Sequence, residues 1–172
     1  MEKLKIKLNK GVHLKNVIER SIEADNEIIQ SKNSILEENK REVDIDQIDT
    51  LKNLKSEFLI ELGLIIQLAN FNRGRGERRS NAYYIKKLSE IQRELSHLKR
   101  IKIKDGWIFE DGEKVKYKAY LTHEEITARQ KSLSVEVEKL QNKLTKFNTE
   151  STIEFQYDPL LADVIKSAGI EI

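Results

Sequence analysis

The stretch "DQIDTLKNLKSEFLIELGLIIQLAN" (residues 46–70) sets Ile48, Leu51, Leu54, Phe58, Leu62, Ile65 and Ala69 three or four residues apart. That spacing keeps side chains on one face of an α-helix. Toward the C-terminal end Leu59, Leu64 and Leu68 widen the face until little of the circumference is polar. A helix apolar nearly all round is buried on more than one side. The stretch therefore predicts either the central helix of a bundle or a helix that shares one side with an oligomer interface. Asp44 or Asp46 is placed to cap its first turn.

Working outward, "KLKIKL" (3–8) alternates lysine with Leu4, Ile6 and Leu8, the period of a half-buried strand, which Gly11 is expected to break. Leu14, Ile18, Ile22, Ile28, Ile29, Ile35 and Leu36 then recur at helical spacing and predict a helix over 12–38, interrupted by "NKREVDID". After the second helix, Ile85, Leu88, Ile91, Leu95, Leu98 and Ile101 line a third over 81–101, with Lys86, Lys87, Arg93, Lys99 and Arg100 on its other faces. Asp-Gly pairs at 105–106 and 111–112 flank aromatic and β-branched residues, so 102–121 reads as a β-hairpin insertion turning at "EDGE". The spacing of Thr122 and Glu125 is that of a capping box. It opens a fourth helix to about 147 whose Ile126, Leu133, Val137, Leu140, Leu144 and Phe147 are heptad-like. "TIEFQY" (152–157) alternates as a strand. Residues 158–172 form a short closing helix and tail, with Asp158 as N-cap, Pro159 at the first position and Gly169 past the end.

These elements predict one mainly α domain over 1–172: elongated antiparallel helical hairpins forming a bundle, with a small β element made of an N-terminal strand, a central hairpin and a C-terminal strand. Helices of ~25 residues reach ~37 Å, and a thin bundle of that length leaves apolar stripes for a second copy to cover. A homo-oligomer is expected.

Composition bounds the chemistry. The 172 residues are 38% hydrophobic and 35% charged, with no cysteine, which removes disulfides, thiolate metal sites and thiol nucleophiles. No apolar run approaches the ~20 residues that cross a bilayer, and "MEKLKIKLNKG" lacks a signal-peptide core. A cytoplasmic protein without a membrane partner is expected. The three histidines, His13, His97 and His123, stand far apart. Asp44, Asp46 and Asp49 lack the glycine that a calcium loop needs at its sixth position, and read as helix-capping acids. No catalytic fingerprint is present, so the reading is non-enzymatic, with no cofactor and no metal.

The net charge of +2 hides an uneven distribution. Residues 1–70 carry a net of −2, residues 71–121 a net of +7 and residues 122–172 a net of −3. The basic third opens with "RGRGERR" (73–79), which holds four of the nine arginines. Arginine grips phosphate or carboxylate with a planar fork. Gly74 and Gly76 permit positive φ and close backbone approach. Ser80 or Asn81 begins a helix, and Tyr83 and Tyr84 are near enough to stack on a base. Arg73, Gly74, Arg75, Gly76, Arg78, Arg79, Tyr83 and Tyr84 are thus the candidate ligand-binding residues for a nucleotide or a nucleic-acid phosphate. Two alternatives stay open: the arginines pair with acids of this chain or of a neighbour, or they contact a protein partner. Trp107, Phe109, Tyr117 and Tyr120 admit a base-stacking platform, but the expectation is a hairpin packing its aromatics onto the bundle.

The layout, with "ANFNRG" (69–74) ending the second helix and "KLTKFNTESTIEF" (143–155) closing the fourth, resembles the septicolysin family of small helical bacterial proteins. The resemblance covers most of residues 1–155 as pattern, anchored at Asn70 or Asn72 and at Asn148 with Thr149. The glycine-arginine loop, the hairpin and the helix after Pro159 depart from it. It implies a helical fold and an oligomer and carries no activity. The expectation is an oligomeric binding protein that captures a phosphate-bearing anion, in a sequestering or inhibitory role suited to a mobile element or virus. The alternative is a structural or partner-binding helical scaffold.

Overall fold

The computed structural model describes residues 1–32 and 44–172. The predicted end of the first helix, with Ile35 and Leu36, and most of its interruption lie outside the described residues. The described chain is mainly helical with two small antiparallel strand pairs, and it divides into two compact units: Met1–Arg78 with Phe147–Ile172, and Arg79–Lys146.

In the first unit β1 (Glu2–Lys7) pairs with β4 (Thr152–Tyr157), setting Leu4 opposite Phe155 and Ile6 opposite Ile153. Alternation buries Ile153, Phe155 and Tyr157 on one face, as a two-residue side-chain period requires. Against that face lie α1 (Leu8–Lys32), α2 (Ile45–Asn70) and the C-terminal α5 (Ala162–Ser167). Leu8, Leu14, Ile18, Leu62, Leu161 and Ile165 are the side chains most fully withdrawn from water. Phe58 packs on Phe155 with ring centroids 5.5 Å apart. Asp44 caps α2, accepting from the Gln47 N–H. Asp158 accepts from the Leu160 N–H, and Pro159 opens a 3-10 turn that leads into α5.

Two expectations are corrected here. Gly11 does not break the strand: β1 ends at Lys7 and α1 runs straight through Gly11, which is buried. A Cβ at Gly11 would stand 2.4 Å from Ile153 Cδ1, so this glycine lets the helix approach β4. Nor is α2 buried all round. Phe58, Leu62 and Ile66 face the core, whereas Ile60, Leu64 and Leu68 are exposed, with Phe71 just beyond the helix. The central-helix alternative therefore fails on that side. Between α1 and α2, buried Lys55 pairs with Asp25 at 2.6 Å.

The second unit is a helical hairpin made of α3 (Asn81–Arg100) and α4 (His123–Glu150), the last turn of α4, from Phe147, belonging to the first unit. Lys87 meets Glu136 at 2.5 Å, and Lys143 lies 4.9 Å from the centre of the Tyr84 ring, so the two helices run antiparallel. Their apolar seam buries Ile91, Leu98, Ile126 and Leu140, while the predicted seam residues Ile85 and Ile101 remain partly open to solvent. The capping box forms as expected: the Glu125 carboxylate accepts from the Thr122 N–H at 2.9 Å, and the Glu125 N–H donates to Thr122 Oγ1 at 3.2 Å. Between the helices, β2 (Gly106–Glu110) pairs with β3 (Glu113–Tyr117). Asp111 (φ 49) and Gly112 (φ 86) both take positive φ, the signature of the tight hairpin turn that suits strand twist.

Candidate functional site

The arginine loop starts where α2 unwinds. Phe71 N–H bonds the Leu68 carbonyl and Asn72 N–H that of Ala69, both at 3.1 Å, tightening the last turn. A four-residue turn follows, closed by Glu77 N–H to the Gly74 carbonyl at 3.0 Å. Gly76 holds its third position at φ 79, where a side chain would be strained. Gly74 departs from expectation: it is not among the positive-φ glycines, and a Cβ there would meet Phe147 Cδ2 and Glu77 Cγ at an ordinary 3.5 Å. Glycine at 74 is needed neither for backbone conformation nor for internal space.

Arg73, Arg75 and Arg78 are exposed, and none takes part in an ion pair among the described residues. The loop thus presents three guanidinium groups within six residues. Each keeps its donors in solvent, where the exchange of water for a carboxylate or phosphate oxygen is open.

The other predicted site residues belong to the second unit, and the contacts among them are their own. Ser80 is the N-cap of α3, accepting from the Tyr83 N–H. Arg79 stacks 5.5 Å from the centre of the Tyr83 ring, Tyr83 meets Tyr84 edge-on at 5.6 Å, and Lys143 covers Tyr84. Both tyrosine rings thus lie beside a cation of the same unit. Asn81 is buried at the helix start.

The remaining candidates fall out plainly. His13, His97 and His123 are exposed on three different helices. Asp44 caps α2, Asp46 sits in its first turn, and Asp49 binds Lys52 at 2.6 Å and Asn53 at 3.3 Å. The hydrogen bond from Lys52 holds the Asp49 carboxyl below its usual range. Lys87 is shifted upward by its hydrogen bond to Glu136.

The hairpin overturns the expectation of inward aromatics. Trp107 is 61% exposed, Phe109 73% and Tyr120 97%, and of the four only Tyr117 is half-buried. Tyr117 donates to Glu110 at 2.5 Å, and Lys104 pairs with the same carboxylate. These bonds pull Glu110 below the ordinary glutamate range, Lys104 contributing most, while the bond to Glu110 raises Tyr117. The sequence signal was legible in the alternation of β2: Trp107 and Phe109 share one face and Ile108 the other. What was not legible is that neither helix covers the aromatic face.

No protein-family model, curated protein or solved structure matches this chain.

Proposed function

We propose that the protein is a non-catalytic helical binding protein that captures a phosphate-bearing anion on Arg73, Arg75 and Arg78. The carrying observation is the group of three exposed guanidinium forks on one short loop, without an ion pair among the described residues. Guanidinium stays charged and binds oxygen pairs bidentately, but it neither shuttles protons nor attacks, so the groups at this loop suit capture rather than turnover. The ligand class is a nucleotide or a nucleic-acid backbone. A thermal-shift screen against nucleoside phosphates tests the reading, because a ligand that binds only the folded state raises its melting temperature by mass action. The expected result is a shift that disappears in an Arg73→Ala/Arg75→Ala/Arg78→Ala variant. Flat curves with the native protein would overturn it.

A second observation favours assembly. Ile60, Leu64, Leu68 and Phe71 form an exposed apolar stripe at helical spacing. Gly63 lies beside it, with nothing among the described residues within 4 Å of where a Cβ would stand. Glycine inside a helix costs about 1 kcal/mol relative to alanine, and no neighbour among the described residues calls for it. Close approach of a second backbone does, and a self-complementary contact across a two-fold axis places the stripe against its own copy. Light scattering should give a dimeric or larger mass that Leu64→Lys reduces to the monomer; a monomeric native protein would end this reading.

A further inference from the structure

We infer that the outer face of the β2–β3 hairpin is a stacking platform for single-stranded nucleic acid. Its residues all belong to the second unit, whereas Arg73, Arg75 and Arg78 belong to the first, and the inference does not rest on the arginine loop. Trp107 and Phe109 point to the same side of β2, and their cross-strand partners are Lys116 and Lys114. Both lysines reach the indole: Lys114 Nζ lies 5.4 Å and Lys116 Nζ 5.6 Å from the ring centre. Side chains two residues apart on a strand are roughly 6.6 Å apart, too far for the two rings to cover each other and far enough for each to take its own base.

The electrostatics of the hairpin are divided by face. Glu110 belongs to the opposite face, engaged by Lys104 and Tyr117. Asp105 is occupied by the Ala119 N–H at 3.2 Å. Lys114 and Lys116 pair with no carboxylate among the described residues, and they sit beside the two exposed rings. At the base of the hairpin, Lys102, Lys118 and the almost wholly exposed Tyr120 line a shallow cleft. The whole second unit carries 16 basic side chains against 10 acidic ones, a net of +6. Exposed aromatic rings interleaved with cations are the combination that holds unstacked bases and their backbone together. A duplex keeps its base faces covered and offers the rings nothing. A bilayer is the poorer fit, because the hairpin's tip, which would enter first, carries Glu110, Asp111 and Glu113.

The test uses the full chain and its single tryptophan. Titration with an oligothymidylate about twelve nucleotides long should quench Trp107 emission. Phe109→Ala should weaken binding about tenfold or more, as should Trp107→Ala read by anisotropy of a labelled oligonucleotide. Lys114→Gln/Lys116→Gln should flatten the log–log salt slope by about 1.4, since each single-strand phosphate contact contributes about 0.7. The Arg73→Ala/Arg75→Ala/Arg78→Ala variant should keep the quench at saturating oligonucleotide, because the quench reads stacking on the single tryptophan and not phosphate contacts at the arginine loop. All four hairpin positions are exposed, and unchanged far-ultraviolet circular dichroism verifies the fold of each variant. Unchanged emission, equal binding of duplex, loss of the quench in the arginine variant, or a response to phosphatidylserine vesicles in place of the oligonucleotide would each overturn the inference.

Discussion

Replacing Gly11 with alanine sets two known effects against each other. Alanine favours a helix interior over glycine by about 1 kcal/mol, so on propensity alone the variant gains stability. The structure opposes this: the new methyl would stand 2.4 Å from Ile153 Cδ1, more than 1 Å inside the optimal carbon–carbon separation of about 3.5–4.0 Å. Ile153 is buried beneath α1, so relief requires an off-rotamer side chain or a shift of the helix away from β4. Overpacking of that kind costs about 1–3 kcal/mol. The expected net is a loss of about 1 kcal/mol in urea unfolding followed by circular dichroism. Ile153→Val supplies the decisive comparison. In the native background it costs about 0.5–1.5 kcal/mol. In the Gly11→Ala background it removes the clashing atom, leaving Ile153 Cγ1 at 3.4 Å and Ile6 Cδ1 at 3.8 Å as the nearest neighbours. The second change should then be free or stabilising. Were Gly11→Ala to stabilise by itself, with no coupling to Ile153, the close-approach account of this glycine would be refuted.

Lys55 and Asp25 give a second test, since both are nearly withdrawn from solvent. Lys55→Met alone strands the carboxylate and should cost about 3–5 kcal/mol, whereas Lys55→Met with Asp25→Leu should recover most of it or exceed the native stability; chemical denaturation of both variants decides. The capping box predicts a pH response. The backbone hydrogen bond from Thr122, followed by its hydroxyl, holds the Glu125 carboxyl below the usual range. The contribution of a depressed carboxylate is present above its unfolded value and lost as pH falls through its folded one. Carboxyl-carbon NMR should show Glu125 titrating below the other exposed glutamates with the Thr122 amide following it; titration with the rest would remove the box as a stabilising element.

Local chemistry was the legible part of this chain. The Thr122–Glu125 box, the Asp111–Gly112 turn, the Asp158 cap with Pro159 and the heptad spacing of α4 each depend on residues within a few positions of one another, and each forms as its spacing predicts. The role of Gly11 is illegible locally because its reason lies about 140 residues away, in the Cδ1 of Ile153. The pairing of β1 with β4 is equally hidden: two alternating stretches announce strands without naming their partners. α2 shows a third limit. Its periodicity identifies Phe58 and Leu62 as core, but apolar content alone does not say whether Leu64 and Leu68 meet this chain or remain open. Of the candidate site, the exposure of the arginines follows from their loop setting, while the outward turn of Trp107 and Phe109 depends on which hairpin face the helices leave bare.

The β1–β4 ladder also dictates an order of assembly during synthesis. Residues Arg79–Lys146 form a contiguous unit able to collapse as soon as they leave the ribosome. The other unit cannot close its core until Phe147–Ile172 has emerged, because Ile153, Phe155, Leu161 and Ile165 supply one wall of it. Until then β1 and the apolar faces of α1 and α2 are without their final partner, so the first part of the chain to be made is the last to have its apolar surface covered.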